Sequence, residues 1–214
     1  MKQFGLIITA AGNSSRFEHH TSKQFFLLDK KPVILKTINC FSHLNCVSEL
    51  IITMRASDIS ALSKLMAKEN LSFPYKIIEG GETRKISVEN AFKALRPVDK
   101  VMIHDGARPF LSANLLDRII KASEIHEAVI PGIPEVDTVK LVRNQMVEKK
   151  LNRDHVYRIQ TPQCFSYRSL KEAYAKINDE LVTDEALLME ALNKPIYVIQ
   201  GDEKNRKITT INDI

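Results

Sequence analysis

FGLIITAAGNSSR, residues 4–16, joins an apolar run to a loop of small residues that ends in a cation. The run Phe4–Thr9 is short and rich in β-branched residues, which is typical of a strand buried on both faces of a sheet. Ala10, Ala11 and Gly12 then let the backbone approach a ligand closely, with N–H groups that can face phosphate oxygens. This stretch therefore predicts a buried strand with a ligand site at its carboxyl end.

Similar apolar runs recur along the chain and alternate with helical patterns. The other predicted strands are Leu50–Met54, Tyr75–Ile78, Lys100–Ile103, Ala128–Ile133 and Ile196–Ile199. Apolar stripes at helical spacing predict helices at Ile34–Phe41, at Ile59–Met66 behind a Ser57–Asp58 cap, at Val88–Leu95 opened by Ser87, and at Leu115–Ile120 after Ser112. This alternation predicts a Rossmann-like α/β fold, with a mainly parallel twisted sheet flanked by helices and ligands bound at the carboxyl ends of the strands.

The segment from Glu135 to Gln160 has no helical pattern. Thr138–Val142 and Val156–Ile159 are expected to be extended and to be joined by a polar turn near Asn144 or Asn152. We interpret residues 135–160 as a β-hairpin-like arm that leaves the main sheet and mediates contact between two subunits. Because there is no linker and no internal repeat, we expect one domain over residues 1–214.

Composition narrows the class of ligand. The 214 residues are 44% hydrophobic and 27% charged, with a net charge of +5 and no Trp. The cations are scattered and no basic tract alternates with aromatic residues, so small phosphorylated ligands are favoured over nucleic acid. No apolar run reaches about 18 residues, so we expect no membrane span and a cytoplasmic protein. The three cysteines, Cys40, Cys46 and Cys164, lack metal-ligand spacing and are predicted to be inert thiols.

Two cations follow the first strand on one loop. The forked guanidinium of Arg16 suits phosphate oxygens, and Lys23 follows seven residues later, so the pair suits a triphosphate. The loop lacks the Gly-Lys-Ser/Thr ending of a P-loop and the later glycines of a dinucleotide fingerprint. On these residues alone, a plain loop with solvated charges is an equal alternative.

Three further strands end in polar groups. After Tyr75–Ile78 come Gly80 and Gly81, either a ligand cradle in which Ser87 reads a base or a simple glycine turn. After Lys100–Ile103 comes His-Asp-Gly-Ala-Arg-Pro-Phe, whose aspartate could orient hydroxyls or lie near a metal, while its histidine is predicted to be structural. Lys207 follows the last strand, which makes it a candidate for the same edge of the sheet.

Taken in order, these motifs resemble the 2-C-methyl-D-erythritol 4-phosphate cytidylyltransferase family of the non-mevalonate isoprenoid pathway. They are Ala-Ala-Gly-x-x-x-Arg from residue 10, Lys-Gln from 23, Gly-Gly-x-x-Arg-x-x-Ser from 80, His-Asp-x-Ala-Arg-Pro from 104, Asp-Thr-x-Lys from 137, Arg-x7-Thr-Pro-Gln from 153, Thr-Asp-Glu-Ala from 183 and Lys-Ile-Thr from 207. The resemblance implies a nucleotide-diphospho-sugar-transferase-like fold, CTP as co-substrate, Mg²⁺ held mainly by the CTP phosphates, and a homodimer built through the arm.

The resemblance also implies a role for each matched residue. Arg16 and Lys23 would stabilise the pentacoordinate α-phosphate, and Arg153 and Lys207 would bind and aim the acceptor phosphate. Thr138 and Thr161 would assist there, and with Arg153 they would be offered across the dimer. The acceptor hydroxyls would be contacted by Asp105, Arg108 and Thr183. CTP would also contact Asp105, and its cytidine would be cradled by Ala10, Ala11, Gly12, Gly81 and Ser87.

The chain departs from the family pattern at a few positions, and two other functions stay open. Ser14 stands where the family usually has glycine, and Gly106 stands where it usually has alanine. One alternative is a ribitol-5-phosphate cytidylyltransferase, although Lys140 favours the erythritol-phosphate enzyme. The other is a catalytically idle nucleotide-binding regulator, which would be expected to lack at least one of the phosphate-binding cations.

Overall fold

The computed structural model describes residues 2–13, 17, 22–177 and 184–213. The strands are β1 (Phe4–Thr9), β2 (Leu27–Leu28), β3 (Lys31–Pro32), β4 (Val47–Met54), β5 (Tyr75–Glu79), β6 (Lys100–Asp105), β7 (Ala128–Pro134), β8 (Lys140–Arg143), β9 (Met146–Lys150), β10 (Tyr157–Ile159), β11 (Gln163–Ser166) and β12 (Ile196–Gln200). The helices are α1 (Val33–Asn39), α2 (Ala56–Met66), α3 (Arg84–Ala94), α4 (Ala113–Ile125), α5 (Tyr167–Lys176) and α6 (Glu185–Ala191). Short 3₁₀ turns lie at Lys23–Phe25, Arg153–His155 and Ile211–Asp213.

Within these described ranges, eight strands form one sheet, in the order β10–β7–β11–β6–β1–β4–β5 with β12 also paired to β7. The pairs β1–β4, β1–β6, β4–β5 and β7–β12 are parallel, whereas β10 and β11 run antiparallel to their neighbours. The prediction of a mainly parallel sheet is confirmed. Because β1, β4, β5 and β6 share one direction, their carboxyl ends meet at one edge.

Helices cover both faces of the sheet because successive side chains of a strand point to opposite sides. Leu6 and Ile8 of β1 pack in a cluster with apolar residues of α1, α2 and α4. Ile7 packs in a second cluster with residues of α3, α5 and α6. Cys46 and Cys164 are buried in the first cluster, as expected of inert thiols.

The helix starts differ in part from the predicted ones. Ser112 caps α4 as predicted, accepting a hydrogen bond from the Leu115 N–H at 3.3 Å. The predicted cap at Ser57–Asp58 is wrong, because α2 begins at Ala56 with Arg55 as its N-cap residue, which places Ser57 and Asp58 inside the first turn. The start at Ser87 is also wrong, because Thr83 caps α3 by accepting from the Ile86 N–H at 3.2 Å. Across the described residues, no helix is both long and apolar enough to cross a bilayer.

The arm is a hairpin of β8 and β9 that pairs separately from the main sheet. Its turn residues Asn144 and Gln145 have φ values of 49° and 65°, the left-handed geometry that matches the twist of a two-residue hairpin. The prediction that Val156–Ile159 is the second strand of the arm is wrong. Tyr157–Ile159 instead pairs with β7 in the main sheet, where Gln160 N–H also donates to the Pro131 carbonyl at 2.8 Å.

Candidate active site

A cleft of about 680 Å³ opens at the carboxyl ends of β1, β4, β5 and β6. Ala11–Asn13 follow β1, Arg55 follows β4 and Glu79–Arg84 follow or end β5. Asp105 ends β6, and Lys207 reaches the cleft from the segment after β12. The cleft therefore lies at the edge of the sheet where the sequence pattern predicts ligand binding.

The structure brings together in the cleft seven of the fourteen residues to which the sequence analysis gives a role. Those that line the cleft are Ala11, Gly12, Lys23, Gly81, Ser87, Asp105 and Lys207. Ala10 is 2% exposed and belongs to the core beneath it. Arg108 and Thr161 lie behind Asp105, and Thr138 and Arg153 lie in a separate pocket at the base of the arm. Arg16 and Thr183 fall outside the described residues.

The loops after β1 and β5 pack directly against each other. A Cβ at Gly80 would lie 2.3 Å from the Cβ of Ala11, so only glycine permits this contact. Ser87 is buried, and its hydroxyl accepts the Gly81 N–H at 3.0 Å while donating to the Thr83 carbonyl at 2.9 Å. The glycines are thus required by packing within the chain, and Ser87 fixes the shape of the loop that faces the cleft.

Gly12 is a different case. Among the described residues, no atom lies within 4 Å of a Cβ added at Gly12, and the Gly12 backbone is not left-handed, so neither feature requires glycine there. Gly12 is exposed and lines the cleft. A missing side chain at an open position leaves room for a ligand to lie against the backbone.

Asp105 is the charged centre of the cleft. Its carboxylate lies 2.8 Å from Lys207 Nζ, 3.4 Å from Arg108 Nε and 3.5 Å from Arg84 Nε. Burial alone would raise the pKa of Asp105, but Lys207, Arg84 and Arg108 together hold it well below its usual range. Asp105 is therefore a fixed anion that gathers three cations at the end of β6.

Arg84 is a cleft residue that sequence reasoning did not select as a candidate. Its Nη1 donates to the Glu185 carboxylate at 2.9 Å, and Glu185 is fully buried at the start of α6. Arg84 is part of the Gly-Gly-x-x-Arg-x-x-Ser motif and Glu185 of the Thr-Asp-Glu-Ala motif, so both positions were visible in the sequence. Their pairing across 101 residues was not.

His104 is linked to the backbone of Asp105 through the Thr161 hydroxyl. His104 Nε2 lies 3.2 Å from the Arg108 carbonyl, which can only accept, so Nε2 carries the proton. His104 Nδ1 then accepts from the Thr161 hydroxyl at 2.9 Å, and that hydroxyl accepts the Asp105 N–H at 3.1 Å. Thr161 is buried and does not line the cleft of its own chain. His104 is structural, as predicted, and Thr161 acts here through the backbone of Asp105.

Burial makes His104 a source of acid sensitivity. Desolvation lowers the pKa of His104 from 6.5 to about 4. Between these values the unfolded chain binds a proton that the folded chain does not, so stability falls as pH drops from 6.5 toward 4, by roughly 3 kcal/mol. We expect His104→Gln to flatten this part of the pH dependence, measured by urea unfolding at pH 4.5 to 7. Exposed His43→Gln is the control and should behave as wild type. Equal slopes for wild type and His104→Gln would contradict the assignment.

The pocket at the base of the arm is smaller and separate. It has a volume of about 390 Å³ and is lined by Thr138, Arg153 and the residues next to them. Both side chains are exposed, and Arg153 Nη1 donates to the Val136 carbonyl at 2.8 Å. Neither residue lines the main cleft.

The carboxylates of the cleft are the side chains that could bind a metal ion. The described part of the chain contains no group of three or more His, Cys, Asp or Glu side chains placed to hold a metal ion. The cleft does offer the Asp105 carboxylate amid cations that suit phosphates. This donor set fits Mg²⁺, which is commonly bound by one or two carboxylates together with substrate phosphates.

Comparison with known proteins finds one family repeatedly. A sequence model of 2-C-methyl-D-erythritol 4-phosphate cytidylyltransferase matches residues 4–214. A 2-C-methyl-D-erythritol 4-phosphate cytidylyltransferase of Lachnoclostridium phytofermentans is 36% identical over 225 residues, covering 100% of this chain and 94% of the relative. The crystal structure of 4-diphosphocytidyl-2C-methyl-D-erythritol synthase from Anaerococcus prevotii is similar with a TM-score of 0.86 and 32% identity, covering 99% of this chain and 94% of that chain. That of the Francisella tularensis cytidylyltransferase has a TM-score of 0.81 and 28% identity, covering 99% and 96%.

Proposed function

The chain belongs to the 2-C-methyl-D-erythritol 4-phosphate cytidylyltransferase family, and from this premise we propose how its cleft performs the reaction. The enzyme transfers the CMP moiety of CTP onto 2-C-methyl-D-erythritol 4-phosphate and releases pyrophosphate. The observation that supports our assignment of roles is the convergence of Lys23, Asp105 and Lys207 in one cleft with the small-residue loop Ala11–Asn13.

The chemistry requires positioned cations more than a base. An oxygen of the acceptor phosphate forms a bond to the α-phosphorus of CTP while the bond from that phosphorus to the β-bridging oxygen breaks. The attacking oxygen is already anionic near neutral pH, so no proton must be removed first. The barrier comes largely from repulsion between two polyanions, which fixed cations reduce by positioning and charge stabilisation.

On the nucleotide side, the loops after β1 and β5 form the cradle. Cytidine lies against Ala11, Gly12 and Gly81, with Ala10 and Ser87 supporting those loops from below. Lys23 contacts the α-phosphate as charge builds on it, together with Arg16. Asp105 lies at the junction of the two substrates and accepts hydrogen bonds from ribose or acceptor hydroxyls.

On the acceptor side, Lys207 binds the incoming phosphate and Thr183 contacts the hydroxyls, while Arg108 acts through the Asp105 carboxylate behind which it lies. Lys207 is suited to this because its side chain is 40% exposed although its ammonium touches Asp105. Arg153 and Thr138 contribute from the partner subunit, since both lie outside the cleft of their own chain. Thr161 acts through the Asp105 backbone that its hydroxyl holds.

Mg²⁺ would be held chiefly by the triphosphate, and Asp105 is a carboxylate of the cleft that would stand beside it. When bound, the metal neutralises charge on the phosphates and on the leaving pyrophosphate. This chain supplies the surrounding cations and the shape of the cradle.

The homodimer forms through the arm. The arm and the strand that follows it expose apolar side chains that a monomer would leave in water. They are Val136, Val142, Met146, Val147 and Tyr157, exposed by 71%, 52%, 73%, 61% and 45%. Docking this surface on a second copy would bury it and carry Arg153 toward the neighbouring cleft. The cytoplasmic location stays a prediction.

The family assignment favours the erythritol-phosphate enzyme over the ribitol-phosphate enzyme and over an idle regulator. We expect pyrophosphate release with CTP and 2-C-methyl-D-erythritol 4-phosphate, and much slower release when ribitol phosphate or another triphosphate is substituted. Lys207→Met should raise the KM for the acceptor about tenfold or more and change the KM for CTP little. In the proposed roles, the acceptor phosphate is the part of the two substrates that Lys207 contacts. Lys204→Met, an exposed lysine of the same segment, is the control. Equal use of both acceptors, or an unchanged acceptor KM in Lys207→Met, would contradict the assignment.

A further inference from the structure

Lys207 reaches the cleft from a segment without regular secondary structure. Within the described range 184–213, residues 201–210 belong to neither a helix nor a strand. The Lys207 ammonium nevertheless lies 2.8 Å from the Asp105 carboxylate, while its side chain stays 40% exposed. A long lysine side chain loses conformational freedom when it is held in one place. The backbone beneath Lys207 must therefore be fixed by other contacts if this geometry is to persist.

The side chain of Asn205 makes one of these contacts, two residues before Lys207. Asn205 is 0% exposed, and its Nδ2 donates to the Thr161 carbonyl at 2.8 Å. Because a backbone carbonyl only accepts, the amide atom that faces it is the donor nitrogen. The amide oxygen has no hydrogen-bond partner among the residues that the structure describes. Burying an unpaired polar atom costs free energy, so stability alone does not explain an asparagine at this position.

Arg108 joins the same residue to the carboxylate that Lys207 contacts. Its Nη1 donates to the Asn205 carbonyl at 2.8 Å, and its Nε lies 3.4 Å from Asp105 Oδ2. Lys207 Nζ lies 2.8 Å from the same Oδ2. The contacts among Asp105, Arg108, Asn205 and Lys207 therefore form a closed ring, and the Asn205 side chain attaches this ring to the Thr161 backbone.

Two further hydrogen bonds hold the segment on either side of Asn205. Gln160 Nε2 donates to the Asp202 carbonyl at 2.8 Å. The Ile208 N–H donates to the Ala107 carbonyl at 2.8 Å, and the Ile208 side chain is buried. Neither hydrogen bond involves the Asn205 side chain. Loss of that side chain is therefore expected to loosen Lys207 without freeing the whole segment.

We infer that Asn205 is a positioning residue that fixes the backbone from which Lys207 reaches the acceptor phosphate. Its effect on acceptor binding rests on the role proposed above for Lys207. Asn205 is buried behind the cleft and does not line it, so it acts on the acceptor through Lys207. A displacement of about 1 Å is enough to weaken the contact of a cation with a phosphate, because such contacts depend closely on geometry.

The substitution Asn205→Ala tests this inference. We expect the KM for 2-C-methyl-D-erythritol 4-phosphate to rise about fivefold or more, with the KM for CTP changed by less than about twofold. Ser123→Ala on α4 is the matched control, because Ser123 is also 0% exposed and donates to a backbone carbonyl, that of Ile120 at 2.7 Å. It should leave both KM values unchanged. An equal rise for both substrates, or no rise for the acceptor, would overturn the inference.

Adding Asn205→Ala to Lys207→Met separates positioning from simple support of the fold. If Asn205 acts through Lys207, the second substitution should raise the acceptor KM by less than about twofold beyond Lys207→Met alone. A further rise as large as the one that Asn205→Ala causes in the wild-type background contradicts a role through Lys207. If Asn205→Ala does not fold, Asn205→Ser, which keeps a shorter donor, is measured in both backgrounds by the same criteria.

Lys207→Met, measured alone, tells the two levels apart. If Lys207→Met leaves the acceptor KM unchanged, the proposed role of Lys207 fails, and the inference fails with it. If Lys207→Met raises the acceptor KM and Asn205→Ala does not, only the inference about Asn205 fails.

Discussion

Lys23→Ala is expected to lower kcat by about 10²- to 10³-fold while the protein stays folded and binds CTP almost normally. Lys23 lines the cleft from a short 3₁₀ turn, and in the role that we propose its charge meets the negative charge that builds on the α-phosphate. An interaction that strengthens in the transition state affects turnover more than ground-state binding. The measurement is the single-turnover rate of pyrophosphate release, with circular dichroism and CTP titration on the same sample.

Exposed Lys64 on α2 provides the matched control for this prediction. Lys64→Ala removes the same charge from a helix surface away from the cleft and should leave kcat unchanged. A Lys23→Ala enzyme with near-normal single-turnover rate would remove Lys23 from the transition-state contacts. A loss confined to CTP affinity would reassign it to ground-state binding.

A heterodimer of one Lys23→Ala subunit and one Arg153→Ala subunit is expected to regain about half of wild-type activity, although each homodimer is nearly inactive. If Arg153 acts across the interface of a two-fold dimer, both defects fall in one cleft and the other cleft is intact. Co-expression with two affinity tags yields the heterodimer, and its activity is compared with each homodimer at equal concentration.

The reciprocal pairing sharpens this test. A wild-type subunit joined to a Lys23→Ala/Arg153→Ala subunit should be nearly inactive, because each of its clefts carries one defect. If Arg153 acted in the cleft of its own subunit, the results would be reversed. The heterodimer of two single variants would be nearly inactive, and the heterodimer with one wild-type subunit would keep about half of the activity. Arg143→Ala on the arm hairpin, exposed and without contact to the pocket at the base of the arm, is the control substitution.

The sequence predicted six of the eight strands of the sheet, because for those strands the information was local. Phe4–Thr9 is apolar at each position that ends up in the core, and Leu6, Ile7 and Ile8 are 0% exposed. The apolar residues at helical spacing in α1 to α4 likewise pack in the two core clusters on either face of the sheet. Motif order was enough to place Asp105 and Lys207 at one edge.

The errors arose where the outcome depended on partners distant in sequence. Val156–Ile159 reads as extended whether it completes a hairpin or joins a sheet, and only the hydrogen bonds to β7 decide. The Thr161 hydroxyl hydrogen-bonds to His104 Nδ1 and to the Asp105 N–H, and the spacing of these residues in the sequence does not predict that contact. The contacts of Gly80 with Ala11 and of Ser87 with the Thr83 carbonyl are likewise set by packing within the chain.

Lys207, to which we assign the acceptor phosphate, comes from the segment after β12, although its carboxylate partner Asp105 ends β6. During translation, Asp105 therefore emerges from the ribosome long before Lys207, and Arg84 and Arg108 are the cations then available to neutralise it. A nascent chain halted after β12 would still lack Lys207, the cleft lysine to which we assign the acceptor phosphate. Competence for transfer would therefore depend on the segment after β12.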